Sequence, residues 1–477
     1  MMKKNFSKIH VVSAAVITDR SRLASVFEAG WNFLCRMDKL TPLIIIALSA
    51  LGVAGIFASG SYDASDEWRK QIVYIAIGIF AYLGVSAVDF RFYRRNANRI
   101  YLAGVALLVP VAVFGFLKIG GVQLIHAVNG AYRWYFVGST SVQPSEFAKV
   151  STLIFLAALL SVKPLGGFRE SFPTFWRAAA GAFVPFALVF VEPDLGSSLV
   201  YVPVLFALLF AANLTARFFW IVGAAGALLF SVVAVDLYFY RARVVDYIEA
   251  RVEATGRVPQ NPAAEIRSRE NRAEWGYEKD SYFFLLKDYQ RERLLSFVDP
   301  QTIDPNGVGS SWNVRQSLIS VGKGGLTGEG FNKGTQAKLG YLPELAAHND
   351  FLFSVLAEEY GFAGCAALVF AYGALMFRTI AIGLRSRDTF GILLTIGVSV
   401  MICVHLLINI GMNIGMMPVT GLSLPFLSYG GSFVLSCFIV FGLVQSVHCH
   451  TEISEADEAF ENPDEPKTVS ARKEIPA

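Results

Sequence analysis

Runs of apolar residues long enough to cross a bilayer constrain this chain more than any other feature. A spanning helix needs about 20 such residues. Runs of this kind fall near 41–59, 71–88, 100–118, 145–162, 177–192, 197–212, 216–239, 351–377, 389–416 and 431–448. The fifth and sixth are parted only by Glu192-Pro193-Asp194-Leu195-Gly196, where proline suits a helix break and glycine permits unusual dihedrals. Composition agrees, with 54% of the 477 residues hydrophobic and 17% charged. The expected fold class is an all-α polytopic membrane protein of about ten transmembrane helices, with a large loop between the seventh and eighth.

Basic residues set the expected orientation. They occupy the N-terminal tail and alternate loops: Arg91 to Arg99, Lys163 to Arg177, Arg217, and Arg378 to Arg387. The positive-inside rule makes that side the cytoplasm and puts both termini there. Residues 1–40 read as a cytoplasmic tail with no signal-peptide core, residues 41–450 as the membrane domain, and 451–477 as a disordered cytoplasmic tail. The long loop divides into 241–280, polar and charge-mixed, and 281–350, rich in Gly, Gln, Ser and aromatic residues as a ligand-facing loop would be. The first part reads as an extension of helix seven or as partly disordered. A net charge of +3 gives no reason to expect nucleic-acid binding. The five cysteines lie in or beside apolar runs without metal-ligand spacing, which argues against a disulfide framework or a zinc site.

The unusual polar clusters all fall on the expected outward face. They are Arg133-Trp134 through Glu146, Glu192 to Asp194, Asp288 to Asp350, and Pro418 to Ser432. Asp350 stands where a polar run meets an apolar helix, and a carboxylate at that junction is costly unless used or satisfied. Asp350 or Asn349 would serve as a helix N-cap. The same helix terminus favours the ionised carboxylate that a general base needs. Lys149 has a partner in Glu146 at i, i+3, or else faces a polar cavity. Arg133 either anchors at the interface beside Trp134 or joins Lys149 around a pyrophosphate. Asn409 and Asn413, spaced i, i+4, read as helix–helix glue, and His405 as a packed interface histidine. The run Gly322 to Gly330 fits no nucleotide-binding pattern and reads as a close-packed turn.

These motifs, taken together, resemble the shape, elongation, division and sporulation (SEDS) proteins. The match runs through RW at 133–134, QPSE at 143–146, EPDLGSS at 192–198 and DYQRERLLSFVDP at 288–300. It continues through QSLISVGKGGLTGEGFNKGTQAKLGYLPE at 316–344, HNDFLFSVLAEEYGF at 348–362 and NIGMMPVTGLSLPFLSYGGS at 413–432. GTQ at 334–336 favours the elongation members over the division members. The resemblance implies a peptidoglycan glycosyltransferase of the bacterial inner membrane that polymerises lipid II at the outer face. Its partners would be a class B penicillin-binding protein and other membrane proteins of the elongation complex. It implies Asp350 as the catalytic residue and Arg133 and Lys149 on the pyrophosphate. Glu146, Arg291, Gln316, Lys323, Gln336, Glu344, His348, Ser428 and Tyr429 join them as candidate substrate contacts. No cofactor is required by the sequence; a divalent cation, Mg or Mn, would suit the pyrophosphate, but no carboxylate cluster commits to one. The chain departs from the family pattern at Asn349, where Thr is usual, at Glu192, where Gln is common, and in a lengthened spacer before His348. A precursor flippase and a non-catalytic scaffold are the rival readings.

Overall fold

The computed structural model describes residues 33–60, 66–117, 124–125, 132–138, 140–162, 165–192, 194–259, 262–266, 288–307, 311–342 and 347–461. Most of both expected tails, and Glu344, lie outside the described residues. The first spans are α1 (Leu40–Ser59), α2 (Glu67–Ala87), the short α3 (Phe90–Arg95) and α4 (Ala97–Leu117). A small antiparallel hairpin, β1 (Tyr135–Val137) and β2 (Thr140–Val142), leads into α5 (Pro144–Ser161). Then come α6 (Phe168–Val191), α7 (Leu195–Leu199), α8 (Tyr201–Ala211) and the long α9 (Ala216–Thr255). The connecting region holds α10 (Pro262–Glu265), α11 (Asp288–Val298), α12 (Pro300–Ile303) and α13 (Trp312–Lys323). The chain closes with α14 (Leu352–Arg385), α15 (Thr389–Asn413) and α16 (Gly431–Glu461). Among the described residues, nine helices are long and apolar enough to cross a membrane. The expected sixth span is the shorter apolar stretch Leu195–Ala211, which turns at Val200 between α7 and α8.

Three helices form the centre. The apolar windows of α5, α15 and α16 are 72%, 67% and 78% buried, against 6% for α9, which stands at the edge. Apolar burial does not drive helices together in lipid, so close packing must. Three of the helices around α5 turn a glycine toward it. A Cβ at Gly104 of α4 would fall 2.1 Å from Ser151, at Gly181 of α6 2.3 Å from Phe155, and at Gly397 of α15 2.3 Å from Leu153. α9 continues without a break through residue 255. Its far end packs Tyr240, Val244 and Tyr247 against Ile266, Leu295 and Ile303, which joins the first part of the long loop to α11 and α12.

Two irregular segments shape the end of the bundle that carries Asp350. α14 is broken at Gly361, whose φ of 63° and ψ of −166° no side-chain-bearing residue tolerates well. The break exposes backbone groups that lipid cannot satisfy. The glycine-rich loop satisfies them. Glu329 and Gly330 donate their N–H groups to the carbonyls of Glu358 and Glu359, while Phe362 and Ala363 donate to Gly325 and Leu326. Glycines permit this approach, since a Cβ at Gly328 would lie 2.1 Å from the Glu359 oxygen.

The second irregular segment is 418–430, which folds back into the bundle. Tyr372, deep in α14, donates to the Pro425 carbonyl, and Gly52 of α1 lies against Leu427. Non-helical backbone is tolerated there because protein surrounds it.

Candidate functional site

Asp350 sits in the turn before α14, and two residues of α15 hold its backbone. The Nδ2 groups of Asn409 and Asn413 both donate to its carbonyl, at 2.9 and 3.0 Å. Asn409 also donates to Leu422 O at 2.7 Å, tying the re-entrant segment to the same point. Asn413 Oδ1 accepts from Ser354 N at 3.2 Å in the first turn of α14. A residue of another helix thus does part of the work of an N-cap. The sequence-based cap reading of Asp350 does not hold: the N-cap position is Phe351, and no side chain of that residue caps the helix.

The Asp350 carboxylate is half-buried and accepts no hydrogen bond from the described residues. Burial, then the like charge of Asp194, pushes its pKa up to about 6; Arg293 and Arg133 pull it back. The surrounding loops are cross-tied. Arg133 Nε donates to Glu192 O at 3.1 Å. Gln143 Nε2 donates to Asp194 Oδ2 at 3.1 Å, and Asp194 Oδ1 caps α7 by accepting from Ser197 N at 3.2 Å. Gln143 N donates to Ser432 Oγ at 3.0 Å. The Glu192 side chain is buried, with neither oxygen hydrogen-bonded among the described residues, and burial together with Asp194 raises its pKa to about 9 despite Arg133. It is therefore a neutral carboxylic acid at physiological pH.

The expected substrate contacts do not share one surface. Ser428 and His348 tie the 418–430 segment to the turn before α14. Ser428 Oγ donates to Asn349 O at 2.7 Å, and Tyr429 N donates to His348 O at 2.9 Å. The buried His348 ring meets Tyr429 edge-on at 5.5 Å. Burial lowers the His348 pKa, with Glu67 opposing, which favours the neutral ring. Lys149 turns into the bundle. Its Nζ is 2.9 Å from Glu146 Oε1 and 3.4 Å from His405 Nε2. His405 Nδ1 is 3.1 Å from the Ser423 carbonyl, which accepts its proton and leaves Nε2 as the acceptor toward Lys149.

Arg291 is also engaged elsewhere. Its fully buried guanidinium makes a two-pronged pair with Asp236 of α9, at 2.8 and 3.0 Å. Lys323 and Gln336 belong to the Gly361 break: Glu358 Oε1 accepts from Lys323 Nζ at 3.2 Å, and the Gln336 N–H lies 3.3 Å from Glu358 Oε2. Gln316 is buried on α13.

Three residues outside the expected substrate contacts matter here. Asp194 and Arg293 set the field at Asp350. Gln71 of α2 spans the re-entrant segment, donating to Ser428 O at 3.1 Å and accepting from Gly430 N at 3.4 Å. For Arg293 a signal existed. It lies two residues from Arg291 on one helix, so the two point to different faces.

An all-α membrane bundle whose re-entrant segment packs against a half-buried carboxylate in the field of two arginines defines the class of protein. The family model FTSW_RODA_SPOVE, described as a cell cycle protein, matches residues 35–261 and 278–453. The chain belongs to that family. It is 29% identical over 441 residues to peptidoglycan glycosyltransferase RodA of Treponema pallidum (strain Nichols), covering 86% of this chain and 97% of the relative. It is 30% identical over 421 residues to peptidoglycan glycosyltransferase MrdB of Escherichia coli (strain K12), covering 87% and 95%. Among solved structures, a chain from a peptidoglycan synthase complex that coordinates polymerization and crosslinking matches with a TM-score of 0.62 at 26% identity, covering 87% of this chain and 98% of that one. The crystal structure of Thermus thermophilus RodA shares the fold, with a TM-score of 0.56 at 24% identity over 87% and 97%.

Proposed function

We propose that this chain is a peptidoglycan glycosyltransferase that polymerises lipid II, with Asp350 as general base. The observation that carries the reading is the half-buried Asp350 carboxylate, which accepts no hydrogen bond among the described residues, is relieved of capping by Asn413 and is poised with a pKa of about 6. A base poised near neutrality is what such a reaction needs. Asp350 takes the proton of the acceptor sugar's 4-hydroxyl as that oxygen attacks the donor's anomeric carbon. The bond from that carbon to the pyrophosphate breaks, and undecaprenyl pyrophosphate leaves with the electron pair. Arg133 and Arg293, the cations whose field reaches Asp350, stabilise the charge that develops on it. Lys149 supports the site from beneath, through Glu146 and His405.

Among the described residues no group of three or more His, Cys, Asp or Glu side chains could hold a metal ion; a divalent cation would be held through the pyrophosphate oxygens, whose charge it would help to neutralise. The site faces outward and both termini lie in the cytoplasm, as the alternation of basic loops supports. The partner is a class B penicillin-binding protein, in keeping with the synthase complex that this fold matches.

Lipid II polymerisation by the purified protein with its partner is the test. Asp350→Ala is expected to lower the rate by about 10²–10⁴-fold. Polymer made at near wild-type rate would overturn the base assignment, and lipid flipping without polymer would favour a transporter.

A further inference from the structure

A cavity of about 520 Å³ opens at the end of the bundle opposite Asp350. α15 runs from its rim at Asp388 to Asn413 beneath Asp350, a 25-residue helix of about 37 Å. The cavity is lined by Arg91, Arg94 and Arg95 of α3, by the start of α4 at Asn98, and by the last turn of α5. Arg91 and Arg95 are four apart on α3 and so share a face. Three guanidiniums meet one lining carboxylate. That carboxylate, Asp388, is already committed: it pairs with Arg94 at 3.1 Å and caps α15 through Phe390 N at 2.8 Å. Arg91 pairs with Asp89 at 3.8 Å, a surface contact worth little. Arg95 is exposed and has no ion pair among the described residues. The other wall is apolar, with Leu159 and the two-thirds exposed Val162 facing where lipid would lie.

We propose that this cavity binds the phosphate headgroup of an anionic glycerophospholipid, with an acyl chain lying along the apolar end of α5. Phosphate is the matching ligand because planar guanidiniums bind its oxygens in pairs. The lipid is the matching source because the cavity lies where three spans end and one wall is oily. Basic pockets between spanning helices are where such headgroups bind. The proposal does not depend on the glycosyltransferase reading.

The experiment is native mass spectrometry of the full-length protein titrated with phosphatidylglycerol or phosphatidylcholine. Wild-type protein is expected to bind phosphatidylglycerol in preference. The double variant Arg91→Gln/Arg95→Gln leaves the Arg94–Asp388 pair intact and should weaken phosphatidylglycerol binding by roughly 5-fold per arginine, about 25-fold together. Binding of phosphatidylcholine should not change. Equal affinity of the wild type for the two lipids overturns the proposal without any variant. Undiminished phosphatidylglycerol binding by the double variant also overturns it. Displacement of the lipid by inorganic phosphate or glycerol 3-phosphate at matching concentration would mean that a soluble phosphate, not a lipid, is the ligand.

Discussion

At the scale of single residues, electrostatics separates groups that look alike in the chain. Arg291 and Arg293 differ only in helical phase, yet one is consumed by Asp236 and the other acts on Asp350. The raised pKa of Asp350 gives a sign that can be checked. A general base works ionised, so polymerisation is expected to rise with pH through about 6. Arg293→Ala removes a charge that favours ionisation and should move this limb to higher pH. Asp194→Asn should move it lower. An unmoved limb in both variants would mean that another group titrates.

Glu192 carries a second prediction. Its folded pKa of about 9 exceeds the ordinary carboxylic value of 4.5, so the folded state keeps a proton that the unfolded chain releases. Its contribution to stability is fully present below the lower value and is lost as pH rises through the higher one. A buried neutral carboxylic acid is close in shape and polarity to an amide. Glu192→Gln is therefore expected to keep activity at neutral pH and to gain relative thermal stability between about pH 4.5 and 9. Equal melting shifts at both ends of that window would count against a protonated Glu192.

At the scale of elements, the break in α14 is the main departure from regular structure. The hydropathy of residues 351–377 reads as one continuous span, because periodicity carries no mark of a backbone break. The signal was in the glycines, which sequence reasoning took only as a close-packed turn. Gly361→Ala would force a Cβ into a φ of 63° and to within 2.4 Å of Gly328 N. The expected cost is at least about 1–3 kcal/mol, read as a lower melting temperature in detergent. The companion case is Asn413. Its spacing with Asn409 was legible as helix glue, and both do join helices. Their attachment to the Asp350 carbonyl was not legible, because it depends on a turn 59 residues away along the chain. Asn413→Ala leaves Asn409 bonded to that carbonyl but strips the Ser354 N–H of its side-chain partner. The expected loss is about 1–3 kcal/mol of stability, together with reduced polymerisation as Asp350 loses its fixed position.

At the scale of the whole molecule, the two ends of the bundle differ in character. One end gathers four cross-tied loops around a carboxylate; the other gathers arginines around an amphipathic cavity. The proposed orientation makes the first end external. A cysteine placed at the exposed Leu339 should then react with an impermeant maleimide in intact cells, while the native, exposed Cys35 should react only after permeabilisation. The reverse pattern would invert the topology.

The sequence alone determined the membrane class, the approximate spans and the family, because a bilayer imposes length and hydropathy on every helix and the motifs follow in order. It also offered the pairing of Glu146 with Lys149, since residues three apart on a helix are neighbours wherever the helix goes. Only the tertiary structure decided which cations reach Asp350, what caps α14 and where the chain re-enters the bundle. Those depend on groups from separate helices meeting in a low-dielectric interior, where each backbone N–H, carbonyl and charge must find its partner from whatever lies within a few ångströms.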